Sequence, residues 1–264
     1  MQDALLLGAI MVAVSVCCGH SAPIKSPMEV WREQNPPRAE VAVATKEDGE
    51  GPEKLIAVIE GTYGVPGWYT YATWQIESNG SSSGAGTSKN WLLAADLVKE
   101  GSACDHNKSQ ALGHKAGLEW CQRQWRALKV ICAQTNRSGE KVCDSQSVKT
   151  SWAFAMGPMQ MLPTNIVKVS DDGIAWVSNA ADFDGDGAVN PLALPDAMAM
   201  SAKLSRHFHG TVGGGDSVES WLKTSGKYLG DDTAKRRAKI LEHADEWCDD
   251  HDCGDAQKEQ IASR

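Results

Sequence analysis

Six cysteines between Cys104 and Cys253 place the strongest constraint on how this chain can fold. An even number in a chain that begins with an apolar segment favours disulfides, although six cysteines allow fifteen pairings that sequence alone cannot resolve. Cys121 and Cys132 are expected to share a helix, where the rise of about 1.5 Å per residue keeps them too far apart to bond. We therefore favour pairing between neighbours: Cys104 with Cys121, Cys132 with Cys143, and Cys248 with Cys253. No pair has the Cys-x-x-Cys spacing of a zinc or redox site.

The N-terminal segment is typical of an exported protein. Ala4 to Val16 form an apolar run of signal-peptide length, shorter than the roughly 20 residues of a membrane span. The segment before it carries Asp3 and no lysine or arginine, and Cys17 and Cys18 follow it, so an uncleaved or lipidated anchor stays open. The predicted organisation is a signal peptide or anchor at 1–22, a linker at 23–51, a folded domain at 52–253 with a disulfide-stapled insertion at about 101–150, and a tail at 254–264.

Net charge narrows the range of partners. The formal charge is -8, which argues against a nucleic-acid partner and gives no general attraction to anionic polymers or membranes. The chain has ten tryptophans against three phenylalanines and four tyrosines. Indole rings fill cores and also stack on sugar rings, so each tryptophan has two possible roles. An anionic partner would have to be held by a specific groove.

Apolar periodicity predicts a mainly helical chain. Trp91 to Val98 and Ser109 to Ala133 are predicted helices in the cysteine-rich part. Ala197 to Phe208 and Ala234 to Asp250 are predicted helices further on, and little strand alternation is present. The predicted fold is a single domain of helices.

Glu77 is the candidate for chemistry. Pro66 can begin a helix whose apolar side ends near Ile76, and Asn79-Gly80 ends it. A carboxylate at the end of an apolar helix is partly desolvated, and desolvation raises its pKa towards the range useful for proton donation. The alternative is a solvated glutamate near a helix C-terminus.

A second candidate lies in an apolar segment from Ala155 to Pro163 that glycine and proline interrupt. Gln160 is its only strongly hydrogen-bonding side chain. An amide that both donates and accepts suits a sugar N-acetyl or hydroxyl group. Considered alone, the segment is better explained by a buried turn whose glutamine bonds neighbouring backbone.

The acidic segment from Asp182 to Asn190 predicts a calcium site. Asp182, Asp184 and Asp186 place oxygen donors at positions one, three and five, with Gly187 at the sharp bend. Position twelve, where an EF-hand carries a bidentate glutamate, is Ala193, so Asp196 would have to close a longer loop. The alternative is an acidic surface turn without an ion.

The helix end at Glu77, the segment around Gln160 and the acidic loop follow one another along the chain. In this order they resemble the motifs of the lytic murein transglycosylases, and most of all those of the membrane-bound type B group. The resemblance covers about Leu55 to Trp247. It implies a mainly α, α+β lysozyme-like fold with a lengthened EF-hand loop that binds structural Ca²⁺. The implied residues are Glu77 as catalytic acid and base, Ser78, Gln160 and Tyr228 as substrate contacts, and Asp182, Asp184, Asp186 and Asp196 as calcium ligands. Tyr228 is the least specific match, because Lys227-Tyr228-Leu229-Gly230 departs from the Ala-Tyr-Asn motif of the family.

The resemblance also implies a reaction. Such an enzyme would act on peptidoglycan glycan strands in the periplasm or cell envelope and cleave the β-1,4 bond between N-acetylmuramic acid and N-acetylglucosamine. It would leave a 1,6-anhydro end without using water. Two alternatives remain: a lysozyme-type hydrolase with a second acid, and a non-catalytic, calcium-stabilised cell-wall binding module.

Overall fold

The computed structural model describes residues 51–81, 92–106, 117–135, 143–170, 173–177, 179–230 and 232–263. The predicted leader and nearly all of the linker lie outside these residues. The helices are α1 (Pro52–Tyr63), α2 (Gly67–Ser78), α3 (Ala94–Leu97), α4 (Ala103–His106), α5 (Leu118–Thr135), α6 (Leu194–Thr211), α7 (Val218–Leu229), α8 (Ala234–Asp250) and α9 (Asp255–Ala262). No helix in these ranges is both long and apolar enough to cross a membrane.

Helix α2 lies at the centre of the packing. Trp68 and Tyr69 are almost fully buried in it, and each large buried side chain contributes roughly 1.5–3 kcal/mol of stability. The Tyr69 ring contacts Trp221 of α7 at a centroid distance of 4.9 Å, and its hydroxyl lies 3.3 Å from Ser205 Oγ of α6. Helices α6 and α7 therefore meet at one face of α2.

Helix α8 packs along a second face of α2 and runs antiparallel to it. Near the start of α2, a Cβ added to Gly67 would lie 3.2 Å from the Trp247 ring, and the Tyr71 and Trp247 rings lie 5.2 Å apart. Near the end of α2, Glu77 interacts electrostatically with Arg236, from the first turn of α8. This packing places a helix from the N-terminal part of the described chain beside a helix from its C-terminal part.

Two small antiparallel sheets complete the fold. Strands β1 (Leu92–Leu93) and β2 (Lys149–Thr150) pair with each other, and β3 (Val167–Ser170) forms a hairpin with β4 (Gly173–Trp176). The prediction of a helix from Trp91 to Val98 was wrong at its start, because residues 92 and 93 pair with a strand more than 50 residues away. Only the part from Ala94 to Leu97 is helical.

The other predicted helices are confirmed, two of them with shifted ends. Helix α8 has the predicted bounds, α6 is longer than predicted, and α5 begins at Leu118. Residues 107–116, which the longer prediction included, lie outside the described ranges. Helix α7 was not predicted, although Ser217 caps it by accepting a hydrogen bond from the Ser220 backbone. The predicted tail contains helix α9, whose Ile261 is buried.

All three predicted disulfides are present: Cys104–Cys121, Cys132–Cys143 and Cys248–Cys253. The first joins α4 to α5, and the second joins the end of α5 to the segment before β2. The third links the end of α8 to the start of α9. Two of the three disulfides thus hold helix α5.

Candidate active site

Glu77 is the penultimate residue of α2, and the helix ends where the sequence predicted. Asn79 takes the left-handed conformation with φ of 54°, which asparagine tolerates better than most residues, and Gly80 follows with φ of 69°. The Glu77 side chain is partly buried. Burial raises its pKa to about 7, against a smaller lowering by the positive charge of Arg236. Near neutral pH the carboxyl group therefore exists in both protonation states.

Two tyrosines share the environment of Glu77. The negative charge of Glu77 contributes to raising the pKa of both Tyr69 and Tyr228, although burial is the larger cause for each. Tyr69, Thr73 and Glu77 lie four residues apart on α2, so they share one face of the helix. The site is therefore a partly desolvated carboxyl group among phenol rings.

Tyr228 connects Glu77 to the second sequence motif. Its hydroxyl donates a hydrogen bond to the Met159 carbonyl oxygen at 2.6 Å and lies 3.3 Å from the Met161 sulfur. Met156 and Met161 pair across a tight hairpin that contains Gln160. Tyr228 thus contacts a hairpin that lies more than 60 positions earlier in the chain.

Gln160 sits at the turn of this hairpin with φ of 49°. Its Nε2 donates to the Gly157 carbonyl oxygen at 2.8 Å, so the amide group bonds its own turn, as the simpler alternative predicted. The side-chain oxygen of Gln160 takes no part in that bond. The side chain is half-buried.

The hairpin also touches the segment that follows the acidic loop. Gly157 has φ of +71°, and a Cβ added to it would lie 1.8 Å from the Pro191 carbonyl oxygen. Only glycine fits such an approach without movement of the backbone. Contact at Gly157 therefore couples the hairpin to the acidic loop.

Three of the four predicted calcium ligands come together. Carboxylate oxygens of Asp182, Asp184 and Asp196 lie within 4.8 Å of one another. Asp196, at the start of α6, is fully buried and accepts backbone hydrogen bonds from Phe183 at 2.5 Å and Asn190 at 2.7 Å. Burial, and then the charge of Asp184, raise the pKa of Asp196 well above its ordinary value. Asp196 thus closes the loop that Ala193 leaves open.

Two predicted site residues lie elsewhere. Asp186 is exposed and outside the group of three carboxylates, and its Oδ1 accepts the backbone N–H of Ala188 at 2.7 Å. Ser78 is buried, and its hydroxyl donates to the Trp74 carbonyl oxygen at 3.0 Å. The roles that the resemblance implied for these two side chains stay predictions.

Sequence reasoning missed Tyr69 and Arg236. Tyr69 could have been found from the sequence, because it precedes Glu77 by eight residues in the same helix and so lies on nearly the same face. Arg236 had none, since it is one of several basic residues in a polar helix more than 150 positions from Glu77. Its proximity follows only from the packing of α8 on α2.

The mainly helical domain, with one partly buried acid held at the end of a central helix, has a lysozyme-like fold. Residues 46–211, more than half of the chain, match the family described as Transglycosylase SLT domain. The chain belongs to this family and is a lytic transglycosylase.

Solved structures of lytic transglycosylases are similar to this chain, among them the following two. Soluble lytic transglycosylase SltB1 from Pseudomonas aeruginosa matches with a TM-score of 0.50 and 14% identity, over 85% of this chain and 78% of that one. Lytic transglycosylase Slt35 from Escherichia coli, solved in complex with calcium, matches with a TM-score of 0.50 and 13% identity, over 82% of this chain and 81% of that one. At these identities the likeness concerns the fold. No curated protein matches the sequence.

Proposed function

We propose that this lytic transglycosylase cleaves the β-1,4 bond between N-acetylmuramic acid and N-acetylglucosamine in peptidoglycan, with Glu77 as its only acid and base. The supporting observation is the surroundings of the Glu77 carboxyl group. Among the described residues, Arg236 is the charged group that shifts the Glu77 pKa, and no second carboxylate does so. A retaining glycosidase would place a second carboxylate about 5 Å away, where it would act on that pKa.

The mechanism needs one group that changes its protonation state. Protonated Glu77 donates its proton to the glycosidic oxygen as the bond to the anomeric carbon breaks. The resulting carboxylate takes the proton of the muramyl 6-hydroxyl as that oxygen bonds to the anomeric carbon. The product is a 1,6-anhydro sugar, and Glu77 ends the cycle protonated as it began.

The neighbours of Glu77 keep it ready for this cycle. Tyr69 and Tyr228 help to desolvate the carboxyl group, which favours the protonated form, while Arg236 favours the carboxylate. Because the Tyr228 hydroxyl is already bonded to Met159, we assign Tyr228 a positioning role. Gln160 stands next to this contact, and its amide oxygen, which accepts no hydrogen bond from the described residues, is our candidate acceptor for a sugar N–H group.

The two alternative functions differ from this proposal in what they require and release. A lysozyme-type hydrolase of the same fold would need water and a second acid. A binding module would sediment with purified peptidoglycan and release nothing soluble. We expect the protein to convert insoluble peptidoglycan into soluble muropeptides, and release assayed by chromatography tests this proposal directly.

Activity should depend on pH through the raised pKa of Glu77. The acid must be protonated to begin the cycle, so kcat/KM should fall as the pH rises through about 7. Replacing Arg236 with alanine removes a positive charge that favours the carboxylate, so the Glu77 pKa and this alkaline limb should move to higher pH. Rate profiles of the two proteins on one soluble muropeptide measure the shift. An unchanged pH midpoint of the alkaline limb would show that Arg236 does not affect the pKa of Glu77.

We also propose that the acidic loop holds a structural calcium ion through Asp182, Asp184 and Asp196. The donor set fits, because calcium prefers carboxylate oxygens and Asp196 is a buried carboxyl group beside two others. A bound cation would neutralise these mutually repelling charges. Asp186 remains a predicted ligand through the carboxylate oxygen that does not bond Ala188.

Chelation should therefore lower stability. If calcium binds the folded state at about 100 times its Kd, it adds about 2.7 kcal/mol, which corresponds to roughly 5–10 °C in Tm for a domain of this size. EDTA should lower Tm by this amount and added calcium should restore it. Asp196→Asn should lose most of the response, whereas Asp216→Asn, an exposed residue before α7, should keep it. The absence of any calcium effect on the unaltered protein would contradict the site.

We place the enzyme outside the cytoplasm because its proposed substrate is there. The tether formed by the leader and linker stays a prediction. The substrate partner on this proposal is the glycan strand of peptidoglycan.

A further inference from the structure

A pocket of about 470 Å³ lies apart from Glu77, between helix α5 of the cysteine-rich insertion and strand β3. Its size falls within the range of sites that hold a small ligand. Neither its helix nor its strand contributes a residue to the site built around Glu77. The pocket therefore needs its own explanation.

The floor of the pocket is rigid. Gln124 is buried, its Nε2 donates to Thr164 Oγ1 at 2.8 Å, and its Oε1 accepts the Thr164 backbone N–H at 3.1 Å. The disulfides Cys104–Cys121 and Cys132–Cys143 hold both ends of the same helix. Such a pocket is formed before a ligand arrives, so less conformational entropy is lost on binding.

The lining combines an apolar surface with cations. Trp120 and Val169 are partly exposed, and the side chains of Arg123 and Lys168 lie at the rim. Arg123 is paired with Glu119 at 2.9 Å on the outer face of α5. Lys168 forms no ion pair among the described residues. Asp171 and Asp172, which follow Ser170 in the chain, lie outside the described residues.

An indole beside an ammonium group suits a ligand that has an apolar part and a carboxylate. The carboxylate would face Lys168, and the apolar part would rest on Trp120. The chain as a whole carries a charge of -8, and Arg123 and Lys168 are the two positively charged side chains that line this pocket. This is the kind of specific groove that an anionic partner of an acidic protein requires.

The pocket is close enough to the proposed active site to contact the same polymer. Thr164 follows Gln160 by four residues, so their Cα atoms are separated by at most about 14 Å. Gln160 belongs to the hairpin that Tyr228 joins to Glu77. A strand bound at Glu77 could therefore place one of its side branches in the pocket.

We propose that this pocket binds the stem peptide of peptidoglycan through one of its carboxylates, and so directs the enzyme to peptide-bearing strands. The inference rests on the proposed function for the identity of the polymer. The pocket would act as a specificity site and would take no part in bond cleavage.

Binding to two forms of sacculi tests the proposal. One form is intact, and the other has been treated with an amidase that removes stem peptides and leaves the muramyl carboxylate. Proteins carry Glu77→Gln to prevent cleavage. Lys168→Glu should weaken co-sedimentation with intact sacculi about fivefold, an effect that added salt should reduce, and should not weaken binding to stripped sacculi. Lys258→Glu, an exposed change of the same charge on α9, should leave both unchanged.

Trp120→Ala is the second variant, and we expect it to lose about tenfold in binding to intact sacculi alone. The Trp120→Ala result counts only if the Tm of this variant matches that of the parent protein. If the Tm is lower, the Lys168→Glu result alone tests the proposal. Equal weakening on both forms of sacculi, or none on either, would overturn the assignment to the stem peptide. The proposed function fails if the unaltered enzyme releases no anhydro product. Because the sacculus assays measure binding, they test the pocket independently of that result.

Discussion

Replacing Glu77 with glutamine should lower kcat by at least 10²–10⁴-fold, the contribution expected of general acid and base catalysis. The substitution keeps the size and hydrogen-bonding shape of the side chain and removes its proton exchange. Release of soluble muropeptides from purified peptidoglycan measures the loss. Near-full activity of this variant would contradict the role of Glu77.

Two controls separate chemistry from folding. Glu77→Gln removes a partly buried carboxyl group whose raised pKa makes the folded protein less stable as pH rises from about 4.5 to 7. Its Tm at pH 8 should therefore equal or exceed that of the unaltered protein. Glu60→Gln, an exposed change on α1, should leave both activity and Tm unchanged.

Gly157→Ala should cause the largest loss of stability among the substitutions considered. The added Cβ would lie 1.8 Å from the Pro191 carbonyl oxygen, and the residue would have to keep φ of +71°. The left-handed conformation costs an alanine about 1–2 kcal/mol, and forcing apart packed backbone costs a further 1–3 kcal/mol or so. We expect the free energy of unfolding to fall by about 2–5 kcal/mol in denaturant titrations.

Gly64→Ala is the matched control. Gly64 has a similar φ of +63°, and a Cβ added there would meet no atom within 4 Å. This variant should lose only the conformational part, about 1–2 kcal/mol. Equal losses at the two positions would mean that the contact between the hairpin and Pro191 contributes nothing. A calcium response retained by Gly64→Ala but reduced in Gly157→Ala would show that the hairpin supports the acidic loop.

The features that sequence predicted well depend on neighbours in the chain. The end of α2 at Ser78, one residue after Glu77, follows from Asn79 and Gly80, which favour left-handed backbone. The disulfides join cysteines separated by only 17, 11 and 5 positions, so local order largely determines their pairing. Spacing also pointed to Asp182 and Asp184, whose carboxylates lie near that of Asp196, while their role as calcium ligands stays a prediction.

The features that sequence missed depend on contacts between distant segments. Residues 92 and 93 are strand residues because β2 offers them backbone partners, which no local pattern reveals. Arg236 reaches Glu77 only because α8 packs antiparallel to α2. The arrangement of the site therefore had to come from the tertiary structure.

The mass of the released muropeptides tests the central claim most directly. Purified peptidoglycan is digested with the unaltered enzyme, and the soluble products are separated and weighed by mass spectrometry. Internal cyclisation by Glu77 predicts 1,6-anhydro ends, one water lighter than hydrolysed products and resistant to borohydride reduction. Reducible ends carrying the mass of the added water would contradict the account and identify a hydrolase.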